Sequence, residues 1–110
     1  MPVIDTATNN VVATATAGNT PYGVAITPDG TRVYVTNYAD NTVSVINTAT
    51  NTAVATVPVG SGPWGVAITP QGTRVYVTNQ NSSEVCDLKP TSITLRDSVK
   101  SRAWLRFRNC

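Results

Sequence analysis

A repeat of 42 residues constrains this chain more than any other feature of its sequence. PYGVAITPDGTRVYVTN at residues 21–37 returns as PWGVAITPQGTRVYVTN at residues 63–79, with fifteen of seventeen positions identical. The likeness extends upstream, where VIDTATNNVVAT at 3–14 matches VINTATNTAVAT at 45–56 in the same register. Residues 1–42 and 43–84 agree at 25 of 42 positions. Self-similarity at such a period marks stacked supersecondary units, none of which buries its apolar face alone.

Each unit reads as four short strands. Gly23 to Thr27 is a largely apolar strand, and Arg32 to Asn37 alternates, with Val33 and Val35 on one side and Tyr34 and Thr36 on the other. Pro28, Asp29 and Gly30 form the hairpin between them: proline presets its own φ, and glycine takes the left-handed conformation that closes the turn. Pro70, Gln71 and Gly72 repeat that device. A third strand is read at Thr42 to Ile46 and a fourth at about Thr52 to Val57, joined by a turn of Thr and Asn residues. The Pro58 to Pro63 segment is a loop leading into the next unit. With 41% hydrophobic and only 13% charged residues, the composition suits pleated surfaces with polar loops. The expected class is all-β, built from four-stranded antiparallel blades.

The YVTN strings at 34–37 and 76–79, with the GVAITP and TATNT elements, resemble the YVTN family of β-propeller repeats over residues 1–84. The resemblance implies a partial, WD40-like β-propeller of about two repeats, such as occurs in surface-layer and other cell-surface or secreted proteins. Related propellers also occur in some redox enzymes and lactonase-like proteins, so fold alone does not fix activity.

Propellers generally need about 4 to 8 blades. The chain begins inside a third strand, at Val3 and Ile4, and its repeats stop after a second strand, at Asn79. Half a blade, a full blade and half a blade are therefore expected in 1–84, with complementary ends. Head-to-tail self-assembly follows as one expectation, in which residues 1–16 of one chain complete the blade begun by 65–79 of the next. A piece of a longer gene that never closes into a ring is the plainer alternative, and a non-functional truncated product is a third.

Residues 85–110 break the pattern. Against residues 43–68, only Val85, Thr94 and Val99 are identical. The chain's net charge of +2 divides into −2 for residues 1–84 and +4 for this tail, which also holds both cysteines. A divergent basic tail, disordered or out of frame, is expected, with a β-like run at Ser92 to Leu95. The Lys100 to Arg108 stretch mixes cations and aromatics that attract nucleic acid, but no nucleic-acid fold accompanies it, so such a partner is not expected.

Excluded chemistry is informative. The chain has no histidine, which removes the commonest general base, the usual triad and the most frequent metal ligand. Cys86 and Cys110 lack zinc-site spacing and read as two unrelated thiols. Asp29 is replaced by Gln71 in the second unit, so turn chemistry explains it better than catalysis, and Asp40 is replaced by Ser82 in a loop without other carboxylates, so solvation explains it better than calcium. No catalytic, cofactor or metal residue is expected, and no cofactor.

The repeated Pro28, Gly30, Tyr34 and Asn37, with Pro70, Gly72, Tyr76 and Asn79, read as structural, the tyrosines packing between blades with a hydrogen-bonded hydroxyl. Tyr22 and Trp64 open the inner strands and are the candidates for an interaction surface or channel mouth. Asn81-Ser82-Ser83 has the form of a glycosylation sequon.

The function expected is therefore a non-catalytic propeller scaffold or interaction module with a protein or glycan partner. The alternative is a fragment of a propeller associated with a redox or lactonase-like enzyme. Family resemblance places it outside the cell or on its surface. No signal peptide is read in residues 1–20, and no apolar run reaches the roughly 18 residues of a membrane span.

Overall fold

The computed structural model describes residues 1–82 and 84–88. Nine strands make up the described part: β1 (Pro2–Asp5), β2 (Asn10–Thr14), β3 (Pro21–Ile26), β4 (Arg32–Asn37), β5 (Thr42–Asn47), β6 (Thr52–Pro58), β7 (Pro63–Ile68), β8 (Val75–Asn79) and β9 (Glu84–Leu88). They form three antiparallel sheets, ordered β1-β2, β3-β4-β5-β6 and β7-β8-β9. No helix occurs among the described residues. The fold is all-β, a partial β-propeller with one four-stranded blade.

The hairpin turns form by the chemistry their residues dictate. Gly30 and Gly72 lie at φ 76° and 74°, where a side chain would be strained, and their N–H groups donate to Thr27 O and Thr69 O. Asp29 accepts from the Thr27 hydroxyl and from the N–H and hydroxyl of Thr31. The Thr27 bond is the first cause, and the two from Thr31 follow, of a carboxyl pKa lowered to about 2. In the second turn, where Gln71 replaces Asp29, Thr73 N donates to the Thr69 hydroxyl, whereas Arg74 N donates to that hydroxyl just as Arg32 N does to Thr27. The Thr-Asn turns close alike, Asn9 and Asn51 both taking positive φ.

Packing repeats as well. Met1, Val3, Ala15, Ala17, Val33, Val35 and Ile46 form one apolar cluster between the first and second sheets. Advancing each by 42 gives Val43, Val45, Val57, Val59, Val75, Val77 and Leu88, all members of the cluster between the second and third sheets. That second cluster is larger, because Tyr34, Val66 and Ile68 add an inner half that the first lacks. The inner strands themselves approach closely. A Cβ on Gly23 of β3 would lie 2.6 Å from the backbone oxygen of Trp64 in β7, so a side chain there would push them apart. The Thr36 hydroxyl of β4 donates to that same Trp64 oxygen at 2.9 Å, tying the second and third sheets together.

The sequence expectation of half a blade after Gly62 differs from what forms. The third sheet has three described strands, since β9 adds residues 84–88 to β7 and β8. Its register repeats that of the complete blade: Asn79 pairs with Glu84, Val77 with Cys86 and Val75 with Leu88, as Asn37 does with Thr42, Val35 with Ser44 and Val33 with Ile46. The pattern therefore continues past position 84 in physical terms. Cys86 does the work of Ser44, each accepting from the buried asparagine opposite at 2.9 Å, and Leu88 fills the volume of Ile46. Nor is Cys86 a free thiol, so the reading of two unrelated thiols is corrected. The expected run at 92–95 and the basic stretch at 100–108 lie outside the described residues.

Candidate functional site

The residues fixed by the repeat separate into two groups. Pro28, Gly30, Pro70 and Gly72 hold the turns that follow β3 and β7. Asn37 and Asn79 are buried at the ends of β4 and β8. Asn37 donates to Thr42 and Ser44 hydroxyls and accepts from Gly18 N, cross-linking the loop that enters β3. Tyr34 is 2% exposed and packs within the larger cluster, and burial raises its hydroxyl pKa to about 12. Its hydroxyl makes no hydrogen bond to the described residues, so packing, rather than the expected hydroxyl contact, describes its part. Tyr76, the same repeat position, is 41% exposed.

Tyr22 and Trp64 come together. Their rings stack at a centroid distance of 4.0 Å with a 27° angle between planes, while 54% of Tyr22 and 41% of Trp64 stays exposed. They meet because the repeat places them at the same height on adjacent inner strands, β3 and β7. A third ring, not singled out in the sequence, completes the group. Tyr38 meets Trp64 edge-on at 6.0 Å and Tyr22 at 5.9 Å. Its counterpart in the next unit is Gln80, so repetition gave no hint of its importance. The signal available was its place directly after the YVTN strand, one loop away from the start of the inner strand.

Loops brace the three rings. The Tyr38 hydroxyl donates to Asn81 Oδ1, and Asn41 Oδ1 accepts from Gly62 N just before β7. Asp40 accepts from both the backbone and side-chain nitrogens of Asn19. Gly62 has φ 67°, and a Cβ there would lie 2.7 Å from the Asn81 side chain and 3.1 Å from the Tyr38 ring. The arrangement offers apolar ring surface beside neutral amides, which suits adhesion of a partner with mixed apolar and hydroxyl character. Among the described residues, no three His, Cys, Asp or Glu side chains converge as a metal site. Arg74, directly before β8, and Asp87 on β9 form an ion pair at 2.6 Å, away from the aromatic group.

Comparison with known proteins agrees with this architecture. No curated protein matches the chain. Among solved structures, hydrazine synthase of Kuenenia stuttgartiensis is similar over 78% of this chain and 25% of its own, at 27% identity and a TM-score of 0.75. Dihydro-heme d1 dehydrogenase NirN in complex with DHE is similar over 80% of this chain and 19% of its own, at 22% identity and a TM-score of 0.70. A Bacteroides fragilis protein provisionally assigned as a 6-phosphogluconolactonase is similar over 91% of this chain and 27% of its own, at 20% identity and a TM-score of 0.64. The chain thus spans about a quarter or less of the first and second of these structures and 27% of the third. The family model described as lactonase, 7-bladed β-propeller, matches residues 3–102, and the chain belongs to that family.

Proposed function

We propose that the chain is a non-catalytic propeller interaction module that binds a partner through the Tyr22, Tyr38 and Trp64 rings. The observation that carries this reading is the exposed, cross-sheet aromatic group, braced by Asn41, Asn81 and Asp40 and supplied by two successive repeats. Aromatic faces bordered by amides fit neutral glycans or polar protein surfaces, because the rings pack on C–H faces while the amides serve hydroxyls. The YVTN strings and Thr-rich turns favour the surface-protein branch of such propellers, and with it an extracellular or cell-surface location. Binding of the labelled chain to an array of neutral oligosaccharides tests the idea. Ligands bound by the native chain should lose at least tenfold in affinity with Trp64→Ala and with Tyr22→Ala. Binding unchanged by both substitutions, or no binding at all, contradicts it.

A second reading is favoured by the family match: these blades belong to a propeller that carries lactonase chemistry elsewhere in its ring. Hydrolysis of 6-phosphogluconolactone, followed by proton release and measured on a complete ring that contains these blades, separates the two. The interaction reading expects no rate above the spontaneous one.

A further inference from the structure

The end of the blades that carries the three rings also carries acid. β4 and β8 run toward it, so Asn37, Asn79 and the loops that follow them stand there. Asp40 lies in the first of these loops, two residues after Tyr38, and Glu84 pairs with Asn79 at the start of β9. Both side chains are exposed. Asp40 accepts from neutral donors, Asn19 N and Nδ2, and Glu84 belongs to no ion pair among the described residues. Asp40 is two residues from Tyr38 and Glu84 three from Asn81, which spans roughly 11 Å of backbone or less. The described arginines stand at the opposite end, Arg32 opening β4 and Arg74 directly before β8. The Met1 ammonium is on the first sheet, held by Ala15 O.

We propose that this end binds glycans through amino sugars, whose ammonium group is drawn to the ring faces and to Asp40 and Glu84. The inference rests on the rings being a binding surface and adds the charge of what they bind. The negative face of an aromatic ring attracts a cation, and two carboxylates with no described basic side chain beside them act in the same sense. Ring geometry selects the carrier. Tyr22 and Trp64 are in contact, their centroids 4.0 Å apart, so no group enters between them, and Tyr38 stands edge-on to Trp64. They make a platform, not a cage that closes round a lysine ammonium. A pyranose lays its C–H face on such a platform, and an amine at its edge then lies beside the acidic rim. Asn41 and Asn81 commit Oδ1 to Gly62 N and the Tyr38 hydroxyl, which leaves their Nδ2 groups to donate to sugar hydroxyls.

Calorimetric binding of the full chain to two oligosaccharides tests this: the β-1,4-linked tetramers of glucosamine and of glucose, which differ only by a 2-ammonium or a 2-hydroxyl on each ring. In mildly acidic buffer of low ionic strength, which keeps the sugar amines protonated, the glucosamine tetramer should bind at least about threefold more tightly. That ratio should shrink as salt is added. Asp40→Asn combined with Glu84→Gln should bring it close to one, with β circular dichroism retained because both side chains are exposed. Glu84→Gln alone should lower it partway. Trp64→Ala should weaken both tetramers, and if it weakens neither, the rings are not the binding surface and both readings fall. Equal binding of the two tetramers by the native chain, or a preference that survives the double substitution, overturns the amino-sugar inference alone. Tighter binding of tetralysine than of the glucosamine tetramer assigns this end to a protein's lysines and overturns it as well. So does a native chain that binds neither tetramer.

Discussion

The junction between the second and third sheets and the junction between the first and second use residues 42 positions apart, yet only the former is complete. Val75, Val77 and Leu88 meet Val43 and Val45 much as Val33, Val35 and Ile46 meet Met1 and Val3. Beyond that shared half, Tyr34, Val66 and Ile68 close one junction, while Val24 and Ile26 remain in water at the other. Residue identity therefore does not decide burial here. A valine or tyrosine of the repeat is core only where a neighbouring strand pair faces it, which is the physical meaning of a unit that cannot bury its surface alone.

Equivalent substitutions turn that contrast into measurements. Tyr34→Ala should show the largest effect, about 3–5 kcal/mol of lost stability by urea denaturation, because it empties a filled junction. Tyr76→Ala should cost under about 1 kcal/mol in the single chain. Equal losses would break the comparison. Next, Ile68→Ala should cost about 2 kcal/mol or more, against less than about 1 kcal/mol for Ile26→Ala.

The buried asparagines sharpen the same point on a polar scale. Asn37 makes three hydrogen bonds, whereas Asn79 donates to Cys86 and leaves Oδ1 unpartnered among the described residues. Asn37→Ala should cost about 1–3 kcal/mol and Asn79→Ala less, in the same denaturation assay.

The smallest effect concerns pH. Asp29 titrates at about 2 in the fold against 3.8 unperturbed, held down first by the Thr27 hydroxyl. A depressed carboxyl adds stability above pH 3.8 and loses it as pH falls toward 2. Gln71 has no such titration. Asp29→Asn should therefore flatten the fall in denaturation midpoint between pH 4 and pH 2, while Gln71→Asn leaves that fall unchanged. Because the carboxylate is fully exposed, the difference should be small.

Much of this was legible in the sequence. The period, the glycine turns and the alternation of β4 fixed the blade, since each is a local rule that the fold obeys. β9 was not legible from identity, because Cys86 and Leu88 differ in name from Ser44 and Ile46 while matching them in hydrogen bonding and volume. Alternation of Val85, Cys86, Asp87 and Leu88 across the strand was the better guide. Tyr22 and Trp64 were visible as repeated aromatics. Tyr38 was not, since its value comes from a loop that brings it across to Trp64 rather than from repetition.

The central claim is that Tyr34 and Ile68 share a junction that Tyr76 and Ile26 lack within one chain. A double-mutant cycle at a dilution where the chain is single tests it most directly. Tyr34→Ala and Ile68→Ala should couple by about 1 kcal/mol or more, while Tyr76→Ala and Ile26→Ala should add to within about 0.5 kcal/mol. Additivity in the first pair, or coupling of similar size in both, would contradict the account.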